Sequence, residues 1–242
     1  MKSDKRNYHS NLKFIESAFG ATSECATELT YAAKILLDNS QNALATSLSI
    51  LAIEELGKFI CIDGLLFSKS GDSKSNNYKE SLKGHNIKLD AFFSALFPLL
   101  SNFIIDDPRK GNSVFVKQFN AGLIGIEKLT HSLFDLLKSE DWRCLNRLKQ
   151  SGFYAEAKNN TFIKPNDAVT RDIAENVYLL ASSATSILEL VIKDNNLERY
   201  LTQALSIRAK LSEADFDELS KQIEAMFREP LDGNEESNKV IH

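Results

Sequence analysis

The sequence predicts an all-α protein, an up-and-down bundle of long antiparallel helices with a C-terminal helical extension. Three observations favour this class. The 242 residues include only 4 prolines and 10 glycines, so long uninterrupted helices are possible. Apolar residues recur at spacings of three and four over most of the chain, which is the helical period. No segment of four or more residues alternates convincingly between apolar and polar side chains, as a half-buried strand would.

The first helix is predicted over residues 12–38, where apolar side chains recur at helical spacing. The Asn39-Ser40 pair then breaks the pattern, and Ser40 is expected to cap the next helix. That helix, residues 43–67, is the centre of the prediction. Its first half is apolar or small on nearly every face, and a helix that is apolar all round belongs in the core of a bundle.

A serine-rich and glycine-rich loop over residues 68–77 follows the central helix. Gly152 is expected to stop the short helix that begins at residue 142, and residues 153–165 are expected to be extended and irregular. The helices predicted after the loop cover residues 79–101, with a start near Lys83 and a bend or end at Pro98, and residues 113–139, 142–150, 170–194, 197–210 and 212–228.

These elements divide the chain into three parts. Residues 1–195 form the predicted bundle, residues 196–229 the helical extension, and residues 230–242 a polar tail expected to be disordered.

Composition excludes several classes of protein. The net charge of −4 argues against a strongly basic nucleic-acid binder, although a local basic patch is compatible with it. The three cysteines are far apart and form no CxxC pair, so neither a disulfide framework nor a zinc site is expected. The N-terminus lacks the apolar run of a signal peptide, and no apolar stretch is long enough to span a bilayer. We therefore expect a cytoplasmic protein with no membrane partner.

Three charged residues interrupt the central helix: Glu54, Glu55 and Lys58. Lys58 lies four residues after Glu54 and three after Glu55, so it can pair with either acid. One interpretation is an ordinary ion pair on the helix surface. The other is a polar site inside the bundle, because a buried charge requires a partner. No metal site is expected, since these carboxylates lack nearby Asp or His partners, and no cofactor motif is present.

Two later segments carry candidate functional residues. His85 opens the predicted third helix, and a neutral imidazole can act as a general base near pH 7. Lys88 adds positive charge in the next turn. In the second segment Arg143, Arg147 and Lys149 are followed by Tyr154, and basic groups beside an aromatic ring are typical of RNA contacts. A solvated helix start and a wet basic helix face are the structural alternatives.

Together these segments resemble the AbiV family of abortive infection proteins, a branch of the HEPN superfamily. The matching strings are LAIEELGK at residues 51–58, GHNIKL at residues 84–89, and LKQSGFY at residues 148–154 followed by Pro165. Their order and spacing match over about residues 20–190. The first string is the most specific of the three.

The resemblance implies a HEPN-like helical bundle that forms a homodimer and defends bacteria against phage by arresting translation. It also implies activation by a phage-encoded protein. Many HEPN proteins are metal-independent ribonucleases whose motif is an arginine, four to six intervening residues and then a histidine. The histidine deprotonates the ribose 2′-OH and the arginine stabilises the transition state.

This sequence lacks that motif, because no arginine stands at that spacing before any histidine. Lys79 lies six positions before His85, and Arg147 lies seven before Tyr154, where tyrosine is a poor base. The sequence therefore predicts that Glu55, Lys58, His85 and Tyr154 surround a catalytic cleft, that Lys88, Arg143, Arg147 and Lys149 bind RNA, and that Glu54 is a structural polar residue. The alternative is a non-catalytic helical module that sequesters a protein partner.

Overall fold

The computed structural model describes residues 4–66, 83–93, 114–139, 141–158 and 161–193. Within these ranges the chain is mainly helical, which confirms the all-α class. The elements in order are α1 (Asp4–Asp38), α2 (Asn42–Leu66), α3 (His85–Ala91), α4 (Val114–Leu137), α5 (Cys144–Phe153), β1 (Glu156–Lys158), β2 (Thr161–Ile163), α6 (Pro165–Ala168) and α7 (Arg171–Lys193).

Helix α2 is the central element, as predicted. Helices α1, α3, α5 and α7 all pack against it. Its apolar residues are spread around the helix rather than confined to one face, and side chains on all its sides are buried, among them Ala45, Ile50, Ile53, Leu56 and Phe59. Because α2 contacts a neighbour on every side, it sets the positions of the other helices.

The start of α2 differs from the prediction. Ser40 is not a helix cap, because its φ of 59° places it in a left-handed turn between α1 and α2. A backbone N–H in the first turn of α2, which has no partner within the helix, is instead satisfied by a distant element. The Asn166 side-chain oxygen accepts a hydrogen bond from the Ala43 N–H at 3.1 Å. The short turn reverses the chain, so α1 and α2 pack antiparallel.

Gly152 does not stop α5, as the sequence suggested, but lies inside its last turn. A Cβ at this position would approach the Ala43 carbonyl oxygen to 2.6 Å and would clash with the Ser47 hydroxyl. The glycine is therefore needed because α5 and α2 lie in direct backbone contact, not because the helix ends.

The segment after α5 was predicted to be extended and irregular. The structure shows a small antiparallel hairpin in which β1 pairs with β2, with Ala157 opposite Phe162. The short helix α6 that follows was not predicted. Helices α1, α2, α4 and α7 agree with the predicted bounds apart from their ends.

Several predictions fall on residues outside the described ranges. They are the loop at residues 68–77, the part of the third helix beyond residue 93 with Pro98, the helical extension at residues 196–229 and the tail at residues 230–242. Among the described residues, none of the helices combines the length and the apolar character needed to cross a membrane.

Candidate functional site

The candidate site is centred on Glu54, a carboxylate buried in the middle of α2. Three side chains from two other helices converge on it. The Lys149 ammonium of α5 donates a hydrogen bond to Glu54 Oε1. His85 Nδ1, at the start of α3, lies 2.7 Å from Oε2, and the Lys88 Nζ of α3 lies 3.6 Å from the same oxygen. The fold thus brings together residues that are far apart in the sequence.

Two glycines allow these helices to come close enough. A Cβ at Gly57 would overlap the Lys88 carbonyl oxygen, so the α3 backbone crosses α2 directly at this residue. Gly152 permits the equivalent contact between α5 and the first turns of α2. The Ser47 hydroxyl also donates a hydrogen bond to the Lys149 carbonyl oxygen at 2.9 Å. This bond fixes the position of α5 along the axis of α2.

The hydrogen bonding favours one tautomer of His85. Nδ1 has two close neighbours, the Glu54 carboxylate at 2.7 Å and the Lys149 ammonium at 3.0 Å. The shorter contact is to the carboxylate, which only accepts hydrogen bonds, so we assign the proton to Nδ1 and treat Lys149 as a donor to Glu54 rather than to the ring. In the neutral ring the Nε2 atom then carries the free lone pair. The His85 side chain is 52% exposed while Glu54 is only 1% exposed. A buried carboxylate thus orients an imidazole whose other side is open to solvent, which is the arrangement of an oriented general base.

The two lysines of the site are buried with the glutamate. Lys88 is 6% exposed and Lys149 is 5% exposed, and Lys149 Nζ also lies 3.0 Å from His85 Nδ1. Buried charges are tolerated when they are paired and hydrogen-bonded. Two lysines and one glutamate leave one formal positive charge in excess, located beside the imidazole.

Glu55 and Lys58 form a separate pair on a different side of α2. The Lys58 Nζ lies 2.5 Å from Glu55 Oε1 and 2.8 Å from Oε2. This pair faces Cys25 of α1, where burial raises the pKa of the thiol and the negative charge of Glu55 raises it further. The structure does not bring Glu55 and Lys58 into contact with His85.

The other predicted residues lie on the surface of α5 and just beyond it. Tyr154 follows the last turn and is exposed, with its ring 6.3 Å from that of Phe153. Arg143 and Arg147 are also exposed, and Arg143 lies 3.8 Å from Asp141. The catalytic and RNA-binding roles assigned to the eight residues from the sequence stay predictions.

Sequence reasoning assigned Glu54 only a structural role and did not identify it as the partner of His85. A signal was present, because Glu54 lies four residues after Ile50 and seven before Cys61, both of which are buried. That spacing places Glu54 on an inward-facing stripe of the helix. The pairing with Lys149 had no such signal, since it depends on how α5 packs.

Within residues 4–66, 83–93, 114–139, 141–158 and 161–193, no three His, Cys, Asp or Glu side chains meet in a group that could hold a metal ion. The chemically active groups that the structure shows at the site are a carboxylate, an imidazole and two ammonium groups.

Comparison with known proteins gives one result. The family model HEPN_AbiV, described as AbiV, matches residues 14–185. The matched region includes α2, α3 and α5, and with them all four side chains of the site. No curated protein and no solved structure matches the chain. Since the family model covers well over half of the sequence, this protein belongs to the AbiV family of the HEPN superfamily.

Proposed function

We propose that this protein is an antiphage abortive-infection effector that arrests translation by cleaving RNA without a metal ion. Membership of the AbiV family supports the defence role. The observation that supports the chemistry is the hydrogen bond between buried Glu54 and half-exposed His85. Among the described residues no group is hydrogen-bonded to the second ring nitrogen of the histidine, whose side chain is 52% exposed.

In the proposed reaction, His85 Nε2 accepts the proton of a ribose 2′-OH. The 2′ oxygen then attacks the adjacent phosphorus, and the bond from phosphorus to the 5′ oxygen breaks. The 5′ oxygen leaves with a proton from the imidazolium of a second copy in a homodimer. The products are a 2′,3′-cyclic phosphate and a 5′-hydroxyl. Water is not a reactant in this step, and the scheme uses no metal ion.

Glu54 is a positioning residue in this scheme. It holds the Nδ1 proton of His85 and stabilises the imidazolium that forms, as the buried carboxylate does in a catalytic triad. Lys88 and Lys149 supply the excess positive charge next to the reacting phosphate. Because both are buried, they act through the electrostatic field rather than by direct contact, while exposed Arg143 and Arg147 are available to contact the RNA backbone.

The second candidate function is a non-catalytic module that sequesters a protein partner. The burial of Lys88 and Lys149 favours it, because a fully satisfied network around a buried glutamate also serves as a structural core. In that case His85 only closes the network at the surface. A phage-encoded protein would be the natural partner for a defence module.

Incubation of the purified protein with total bacterial RNA and with tRNA, in a chelator, separates the two functions. We expect the wild type to give fragments that end in a cyclic phosphate, and His85→Ala to give none while retaining the helical circular dichroism spectrum. Because activation by a phage protein is expected, the same assay is run on RNA from cells that express the protein during phage infection.

The neighbouring glutamates provide the matched control. Glu55→Gln alters the next residue of the same helix but leaves the His85 contact in place, so we expect its cleavage to be unchanged. Loss of cleavage in Glu55→Gln would instead support the cleft predicted from the sequence. Intact RNA in both assays, together with full antiphage protection by His85→Ala, would refute the nuclease and leave the binding module.

A further inference from the structure

A second site lies at the other end of α3 from His85. It is an aromatic cavity of about 450 Å³, within the size range of small-ligand sites. Its apolar part is formed by Phe93, Phe134 and Trp142, with Ile124 beside them. The Phe93 ring stacks on Trp142 at 5.8 Å with 24° between the planes, and it lies 5.9 Å from the ring of Phe134.

One edge of this cavity is polar. Glu127, Thr130 and His131 line it from successive turns of α4. The Thr130 hydroxyl donates to the Ile126 carbonyl at 2.9 Å, so its oxygen is available as an acceptor. Aromatic ring faces with hydrogen-bonding groups at one edge match the two needs of an unstacked nucleobase, namely a stacking surface and partners for the base edge.

The cavity is physically joined to the Glu54 site. The Trp142 indole N–H donates to the Asp90 carboxylate on α3, and Lys149 contacts His85 at the other end of the same helix. Helices α3 and α5 therefore run antiparallel, with the aromatic cavity at one end and the imidazole at the other. Phe93 lies eight residues from His85 and Trp142 lies seven residues from Lys149, so the separation along the chain axis is about 10 to 12 Å at a rise of about 1.5 Å per residue.

We infer that this cavity binds a nucleobase of the single-stranded RNA whose backbone reaches His85. This inference rests on the proposed function. An extended strand covers the separation in a few nucleotides. Arg147 is exposed on α5 and Arg143 is exposed just before the helix begins, and both lie between Trp142 and Lys149 in the sequence. Stacking surfaces beside basic groups are how proteins hold single strands, whereas a pocket for an apolar peptide side chain would not need the polar edge.

The intrinsic tryptophan fluorescence of the protein comes from this cavity alone, because Trp142 is the only tryptophan in the sequence. We would titrate the full-length protein with a short 2′-O-methyl oligoadenylate and follow the indole fluorescence. The 2′-O-methyl group removes the nucleophile, so the probe cannot be cleaved by the proposed reaction. We expect saturable quenching by this probe and no quenching by an abasic oligonucleotide with the same backbone.

Phe134→Leu tests the stacking surface while keeping an apolar side chain in the helix. We expect it to weaken oligoadenylate binding by about tenfold, since the base loses an aromatic ring on which it stacks. Phe14→Leu is the matched control, because Phe14 is an exposed phenylalanine on α1 away from the cavity, and it should bind as the wild type does. Equal binding by the two variants would overturn the inference.

The test separates this inference from the proposed nuclease. His85→Ala should still show quenching, because stacking does not require the imidazole. If the oligoadenylate quenches but RNA is never cleaved, the cavity is a base-binding site and the nuclease is refuted. If RNA is cleaved while the oligoadenylate leaves the fluorescence unchanged, or the abasic probe quenches equally, the cavity does not bind a base.

Discussion

Replacing Glu54 by glutamine tests the central feature of the structure, the buried carboxylate that pairs with two buried lysines. The substitution preserves the size of the side chain and removes its charge. The glutamine oxygen can still accept one hydrogen bond from Lys149, but Lys88 and Lys149 would remain in the core without a counter-charge. We therefore expect a large loss of stability from a change of very few atoms.

The magnitude follows from the burial of the partners. Removing one member of a buried ion pair costs about 3–5 kcal/mol, because the other charge is left uncompensated. For a chain of this size, each kcal/mol lowers the melting temperature by about 2–4 °C. Glu54→Gln should thus lower the melting temperature by roughly 6–20 °C.

Glu55→Gln is the control, since it removes the same charge one residue away. The side chains of Glu55 and Lys58 are 16% and 28% exposed, so both ions keep contact with water and the pair should contribute less than the buried network, about 1 kcal/mol. We expect this variant to melt within about 4 °C of the wild type. Thermal unfolding followed by circular dichroism gives both values.

A double variant checks the cause of the loss. Adding Lys149→Met to Glu54→Gln removes one of the two unpaired ammonium groups and keeps most of the aliphatic stem, so the double variant should be more stable than Glu54→Gln alone. If Glu54→Gln and Glu55→Gln melt at the same temperature, or if Lys149→Met adds its full destabilisation to that of Glu54→Gln, the buried network as described does not stabilise this fold.

Three further predictions concern glycines and a cysteine. Gly57→Ala should destabilise the protein by more than 1 kcal/mol, because the added methyl group would overlap the backbone of α3 at Lys88; thermal unfolding measures it. Gly20→Ala should instead stabilise the protein by up to about 1 kcal/mol in the same assay, because its Cβ would meet nothing within 4 Å and alanine is the better helix former. Cys61 should resist alkylation by iodoacetamide at pH 8 in the folded protein and react on unfolding, because burial raises the pKa of its thiol to about 12; mass spectrometry of the labelled peptides measures it. Since an unfolded thiol ionises at lower pH, the stability that Cys61 contributes is complete below about pH 8.5 and is lost as the pH rises towards 12. A destabilised Gly20→Ala, an unaffected Gly57→Ala or rapid labelling of folded Cys61 would contradict the packing from which each prediction follows.

Much of the fold could be predicted because helices leave a local signal. The apolar spacing of three and four residues predicted the ends of α1, α4 and α7 to within a few residues, except for the start of α1. The lack of any polar face in the first half of α2 identified it as the central helix. The errors came from backbone contacts between distant elements. Nothing local shows that Asn166 caps α2, or that Gly152 permits helix contact rather than ending a helix.

The site was predicted less well than the fold, for a related reason. The sequence placed His85, Lys88 and Lys149 among the functional candidates. Local spacing allowed Lys58 to pair with either Glu54 or Glu55, and the structure shows the pair with Glu55. It could not show that Glu54 meets His85 across 31 residues and Lys149 across 95. Such contacts depend on the crossing points of α3 and α5 on α2, which Gly57 and Gly152 determine through the absence of a side chain.

The absence of the arginine and histidine motif has a physical interpretation in this network. In the motif that the HEPN resemblance implies, an arginine brings one positive charge to the phosphate beside the histidine. Here Lys88, Lys149 and Glu54 together leave the same single formal charge next to His85. The carboxylate also holds Nδ1 of His85, which an arginine could not do because it only donates hydrogen bonds. If the proposed reaction is correct, a glutamate with two lysines takes over the charge of the arginine and also orients His85, and it can do so only inside the packed core that α2, α3 and α5 form together.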